Sequence, residues 1–201
     1  MNPSDFATLT SDKVAHIVLD LETLSTRPDA LVLSIGAVGL NKHGEILSGA
    51  EFHLALDQKE QATRRHVSLD TIQWWMQQSQ EAIDASFGAP TSNQAFVTNA
   101  LTAFKEYVDQ WSARGLVCVW GNGCGFDNVI LASLYQDWGM QAPWDFRNDR
   151  DMRTITALFP HLKLMPFKGI KHHAQHDAMH EAKQLAKAIQ LLHKVSLHQP
   201  A

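Results

Sequence analysis

Cysteine is scarce in this chain, with two among 201 residues. A disulfide scaffold is thereby excluded, and a chain of this length can bury roughly 70% of its unfolded surface without one. Cys118 and Cys124 match neither a redox CxxC pair nor a zinc pair, so both read as structural thiols of a reducing compartment. No long hydrophobic run is present. The longest largely apolar stretch, Ala30 to Leu40, is too short to span a bilayer. An excess of positive charge is also missing: 17 basic residues face 21 acidic ones, a formal charge of -4. A protein that coats duplex DNA through a basic face is disfavoured, whereas an enzyme that holds metal ions with carboxylates is not. The opening residues carry neither a basic start nor an apolar core, so no secretory signal is read there and the expected setting is cytoplasmic, with no membrane partner.

Apolar residues make up 45% of the chain and charged ones 19%, a globular profile. Without repeats or low-complexity linkers, one domain over residues 1–201 is expected, with a polar leader at 1–13 and a tail at 195–201. Short β-rich runs predict strands at Val14–Asp20, Leu31–Leu40 and Glu45–Leu56, the last two joined by a turn at Asn41–Gly44. Helical spacing links Leu69, Ile72, Trp75 and Met76. A helix is predicted from Pro90–Thr91 to Trp111, with Thr91 and Gln94 as a capping box. Leu116–Trp120 reads as a central strand, and helices follow at Phe126–Trp138, Asp151–Leu158 and Asp177–His193. The last carries Ala178, Ala182, Leu185, Ile189 and Leu192 along one stripe. The expected fold is α/β: a mixed sheet, three antiparallel strands then parallel ones, flanked by helices.

Three clusters carry chemistry. Asp20 and Glu22 stand two apart on a strand, so their carboxylates share a face and repel unless solvent, a shared proton or a cation intervenes. Taken alone they could equally be two solvated acids. After the Leu116–Trp120 strand comes Gly121-Asn122-Gly123-Cys124-Gly125-Phe126-Asp127. A dinucleotide loop would need glycine where Phe126 stands, which leaves Asp127 at a helix start, favourable to the helix dipole in any case. His172-His173-Ala174-Gln175-His176-Asp177-Ala178 precedes the last helix. The spacing of His172, His176 and His180 leaves a zinc site open as an alternative, as it does plain surface histidines.

The order Asp-x-Glu, Asp, then His-x-x-x-x-Asp resembles the DEDD superfamily of 3′–5′ exonucleases, histidine subclass. Within it the nearest look is the ribonuclease T-like, exonuclease VIII-like group, supported by TIQWW at 71–75, GNGCGFDN at 121–128 and WDFRNDRDMRT at 144–154. The resemblance runs from about Ile17 to Ile189 and implies a ribonuclease H-like sheet. It also implies a metal-dependent 3′–5′ exonuclease that releases nucleoside 5′-monophosphates from single-stranded DNA or RNA 3′ ends.

Carried over by position, Asp20, Glu22, Asp127 and Asp177 would hold two Mg²⁺ or Mn²⁺ ions. Asp20 would bridge them, Glu22 and Asp177 would complete the position of the attacking water, and Asp127 would support the second ion. His172 would be the general base. Thr23, Leu24, Trp75 and Asn122 are the expected substrate-binding residues: Thr23 through its backbone, Leu24 as an apolar wedge, Trp74 or Trp75 as a stacking surface. Asp151 is given no metal role and reads as a helix-start acid. A basic strip from Arg147, Arg150, Arg153, Lys163, Lys168 and Lys171 would guide a strand or form a solvated cluster. Relatives often pair as homodimers. The alternative to an enzyme is a catalytically silent nucleic-acid-binding module on the same fold.

Overall fold

The structure, a computed structural model, describes residues 13–87, 94–112 and 117–196. Five strands form one sheet in the order β3-β2-β1-β4-β5. Strands β1 (His16–Thr23), β2 (Val32–Leu40) and β3 (Ile46–Ala55) are antiparallel neighbours. Strands β4 (Cys118–Gly121) and β5 (Asp149–Asp151) run parallel to β1 on its other side. The chain therefore leaves β1 toward one flank and returns on the other. The C-terminal ends of β1 and β4 open side by side, the place where open α/β sheets form their clefts.

Seven α-helices are described: α1 (Gln58–Gln61), α2 (Leu69–Trp75), α3 (Gln80–Phe87), α4 (Val97–Trp111), α5 (Asp127–Asp137), α6 (Met152–Leu158) and α7 (Ala174–Ser196). The period of two along β1 divides them between the sheet's faces. Ile17, Leu19 and Leu21 are buried with Leu101 and Phe104 of α4 and Leu131, Leu134 and Tyr135 of α5. Val18 is buried with Ala178, Ala182, Leu185 and Ile189 of α7. Asp20 and Glu22 belong to Val18's face, so the strand's own pleat aims both acids toward α7.

That helix lies unusually close to the sheet. Gly36 stands opposite Asp20 in the β1–β2 register. A Cβ there would come within 2.1 Å of the Ala174 carbonyl carbon and 2.3 Å of the Gln175 nitrogen. Only a glycine lets the first turn of α7 rest on β2 beside the acids.

Several boundaries differ from expectation. The helix predicted from Pro90 begins at Val97. Thr91 lies outside the described residues, and Gln94 is not helical but donates from Nε2 to the Phe87 carbonyl at 2.6 Å. The cap comes from elsewhere: Glu60 of α1 accepts the Val97 N–H at 2.7 Å and the Trp138 indole at 3.1 Å, satisfying donors that a helix start leaves open. Leu116 is outside the described residues, and β4 starts at Cys118. Asp151 ends β5 and then caps α6 by accepting the Thr154 N–H at 2.7 Å, as a helix-start acid would. Leu192, expected on the buried stripe, is 40% exposed near the end of α7. No helix of the described residues is long and apolar enough to cross a membrane.

Candidate active site

Asp127 is placed by two backbone donors. Its Oδ1 accepts the Leu21 N–H and its Oδ2 the Asn122 N–H, each at 3.1 Å. One side chain thus joins the end of β1 to the loop after β4. Gly121 makes room for it, since a Cβ there would lie 2.5 Å from Asn128 Oδ1 and 3.0 Å from Asp127 Cβ.

Asp177 enters from the first turn of α7 and accepts the His173 N–H at 3.1 Å. His172 precedes that turn with φ 61, the one positive φ outside glycine among the described residues. Such a conformation costs of order 1–3 kcal/mol and persists only where surroundings enforce it. Here the buried Ser86 hydroxyl donates to the His172 carbonyl at 2.7 Å. The imidazole and the Trp74 ring meet in a T-shaped pair, with centroids 4.8 Å apart and planes at 81°.

These groups share one cleft of about 650 Å³, on whose wall stand Asp20, Glu22, Asp127, Asp177 and His172. Glu22, His172 and Asp177 each offer a ligand atom within 4.8 Å of the others. Burial drives the electrostatics. Glu22 is pushed up to about 9 by burial, then by Asp177 and Asp127. Asp20 is held well above the usual carboxylate range by burial, with Glu22 and Asp127 adding to it. Asp127 is pushed up to about 7 by burial, although its two N–H donors pull it back. Asp177 is raised by burial against the charge of His172. Acids crowded this way favour their neutral forms unless cations join them. The donor set, carboxylate oxygens around one imidazole, suits hard divalent ions such as Mg²⁺ or Mn²⁺.

Thr23 and Asn122 also line the cleft. Two of the residues expected to meet substrate are largely buried. Leu24 is 8% exposed and packs with Leu31, Leu33 and Trp75 in a separate core cluster. The β1–β2 register shifts between Glu22 and Thr23, and such an irregularity re-aims the side chains beyond it. Leu24 therefore leaves the face that Asp20 and Glu22 share, and it is not on the cleft wall. Trp75 is 2% exposed, and its indole donates to the Thr23 carbonyl at 2.9 Å. Both indoles line the cleft, Trp75 from its buried place under β1 and Trp74, 42% exposed, as the more open ring.

The three-histidine zinc arrangement does not form. His172 precedes the helix, His176 Nδ1 accepts the Ile170 N–H at 3.1 Å, and His180 lies 3.1 Å from Gln184 Nε2. Of the six residues in the expected basic strip, Arg153 alone lines the cleft. Two acids of the cleft wall, the exposed Asp70 and the buried Glu181, escaped the sequence reading altogether. Glu181 is 6% exposed and on the cleft wall. Its spacing of four from Asp177 on a helix was the available signal.

A family model described as 3′-5′ exoribonuclease Rv2179c-like domain matches residues 15–189. An exodeoxyribonuclease of enterobacteria phage T4 is 25% identical over an alignment of 193 residues that covers 82% of each chain. Among solved structures, the nuclease domain of 3′hExo, a DEDDh family member bound to rAMP, superposes with a TM-score of 0.59 at 14% identity, over 90% of this chain and 94% of that one. Escherichia coli exonuclease I in complex with a dA16 oligonucleotide superposes with a TM-score of 0.59 at 13% identity, over 90% of this chain. The present chain spans 42% of that enzyme's length. At these identities the superpositions speak for the shared ribonuclease H-like fold.

Proposed function

Because the chain belongs to the Rv2179c-like 3′–5′ exoribonuclease domain family, we propose that the cleft is the hydrolytic centre of a 3′–5′ exonuclease acting on single-stranded DNA or RNA with two divalent ions. Membership makes the chain a 3′–5′ exonuclease, a phosphodiester hydrolase of a generally divalent-metal-dependent superfamily. One observation carries the finer reading: Asp20, Glu22, Asp127, Asp177 and His172, drawn from three distant stretches of sequence, converge on one cleft at the ends of parallel strands.

Asp20, Glu22, Asp127 and Asp177 would hold Mg²⁺ or Mn²⁺ ions, whose charge offsets the crowding of the acids and stabilises charge developing on the phosphate. The remaining steps belong to the protein's own groups. His172, held by Ser86 and its T-shaped contact with Trp74, takes the proton of the attacking water as the water oxygen bonds phosphorus. The bond from phosphorus to the 3′ oxygen of the preceding nucleotide breaks, that oxygen takes a proton from solvent, and a nucleoside 5′-monophosphate is freed. An imidazole suits this transfer because its ordinary pKa lies near neutral pH. Trp74 offers its face to the terminal base and Thr23 its backbone to the terminal nucleotide. Arg153, the one arginine or lysine on the cleft wall, stands where a guanidinium would meet a strand's phosphates. The family description names an exoribonuclease and the T4 relative is an exodeoxyribonuclease, so the reading covers both sugars. The free thiols Cys118 and Cys124 fit a reducing, cytoplasmic setting.

The test is digestion of matched DNA and RNA oligonucleotides, labelled at either end, with Mg²⁺, Mn²⁺ or chelator. Stepwise shortening from the 3′ end with metal, and none with chelator, is expected. The His172→Ala variant should lose on the order of 10²–10⁴-fold in turnover. Undiminished cleavage in chelator, or by His172→Ala, would remove the assigned chemistry.

A further inference from the structure

Taking the cleft as the cation-holding centre proposed above, we infer that Glu181 is a fifth cation-holding carboxylate that completes the position shared by Asp20 and Asp127. The two sides of the cleft are unequally furnished. On one side, Glu22, His172 and Asp177 already bring three ligand atoms within 4.8 Å of one another. On the other, each oxygen of Asp127 is engaged by a backbone N–H, which leaves that acid less to offer a cation.

Glu181 supplies what is missing there. It lies one helical turn beyond Asp177 on α7, between the buried Ala178 and Ala182, and its side chain is on the cleft wall. The Asn122 side chain favours its charged form, yet Oε2 is buried with no partner. A buried, unpartnered carboxylate oxygen is costly, and native structures rarely leave one without a ligand, ion or water. Asn122 ties it to Asp127, whose Oδ2 accepts the Asn122 N–H, and Asp127 acts on it more strongly than Asp177 does, with Asp20 a further neighbour, so the oxygen is assigned to the Asp20–Asp127 position. A divalent ion, or a water in its shell, is the partner this oxygen fits.

The experiment titrates the full-length chain with MnCl₂ by calorimetry, without nucleic acid, and compares Glu181→Gln, Glu181→Asp and Asn122→Ala. Glu181→Gln keeps the shape and removes the charge. Its weaker Mn²⁺ affinity should fall roughly 10–100-fold, the range for groups that support a metal site, while the tighter one holds. Its metal-free melting temperature should equal or exceed that of the wild type. Glu181→Asp, which withdraws the carboxylate by one methylene and keeps the charge, should also weaken binding, and it decides the matter if the glutamine variant does not fold. Wild-type affinities in both variants would overturn the inference, as would an Asn122→Ala variant that reproduces the whole loss, since Glu181 would then act only through the loop. A wild-type chain that takes up no Mn²⁺ would instead overturn the reading of the cleft itself.

Discussion

Gly36→Ala tests the claim that the site depends on backbone-to-backbone contact between β2 and α7. The added Cβ would stand 2.1 Å from the Ala174 carbonyl carbon, where ordinary contact begins at 3.4 Å. Neither neighbour is a flexible side chain that can swing aside, so strand and helix must part locally by roughly 1 Å against a close-packed interior. Overpacking of this kind costs about 1–3 kcal/mol, occasionally more. For a chain of this size that is a fall of roughly 2–12 °C in melting temperature.

The chemical consequence should exceed the thermal one. Ala174 opens the helix that carries Asp177 and Glu181, and His172 stands two residues before it. Misplacement by ~1 Å can cost on the order of 10²-fold in rate. Turnover per folded molecule, measured on an end-labelled oligonucleotide at saturating Mg²⁺ and well below the melting temperature, should therefore drop about 100-fold. Normal circular dichroism in the same sample would assign the loss to geometry. Wild-type turnover together with a wild-type melting temperature would refute the close approach and, with it, the role given to this glycine.

Two other outcomes are expected. Glu22, Glu181 and Asp127 are pushed up to about 9, about 8 and about 7 from ordinary values of 4.5, 4.5 and 3.8. As pH rises above those ordinary values the unfolded chain sheds protons that the folded site still holds, so folding is penalised progressively until the raised pKa values are passed. The metal-free protein should melt lower at about pH 9 than at about pH 5, and Mg²⁺ or Mn²⁺ should recover more stability at the higher pH because binding releases protons; a flat melting profile would contradict the burial of these acids. Trp74→Ala and Trp75→Ala should part company: the former should raise KM for oligonucleotides by the equivalent of about 1–3 kcal/mol with little change in melting, the latter should lose about 3–5 kcal/mol of stability, and the reverse pattern would return the stacking role to Trp75.

The sequence was most readable where a local period carries the information. Asp20 and Glu22 share a face because a strand alternates, and that rule holds up to the irregularity at Glu22/Thr23, after which it places Leu24 on the wrong side. A register shift has no composition of its own, so an apolar residue directly behind two acids looks like a wedge and folds as core. The pair Trp74–Trp75 shows the same limit. A helix turns adjacent residues about 100° apart, which tells that one ring is exposed but not which, and the choice is made by a partner 52 residues away, the Thr23 carbonyl. The start of α4 is likewise decided at a distance, by Glu60, which no neighbouring residue of the sequence signals. Strand β5, Asp149-Arg150-Asp151, is polar throughout and has no strand signature; it is ordered beside β4, where Asn128 Nδ2 bridges the Val119 carbonyl and Asp149 Oδ1.

Glu181 is a different case, because its spacing from Asp177 was visible. On a surface helix the same spacing marks two acids that merely share a solvated face. What distinguishes Glu181 is depth, and depth comes from the close seating of α7. Gly36 permits that seating, and Ala178 and Ala182 keep the interface thin. The residues that make this acid matter are thus small ones on other turns and another strand, which carry no charge and no motif. Where small side chains bring a helix onto a sheet beside known acids, a further acid one turn along the helix is the first place to look for another ligand.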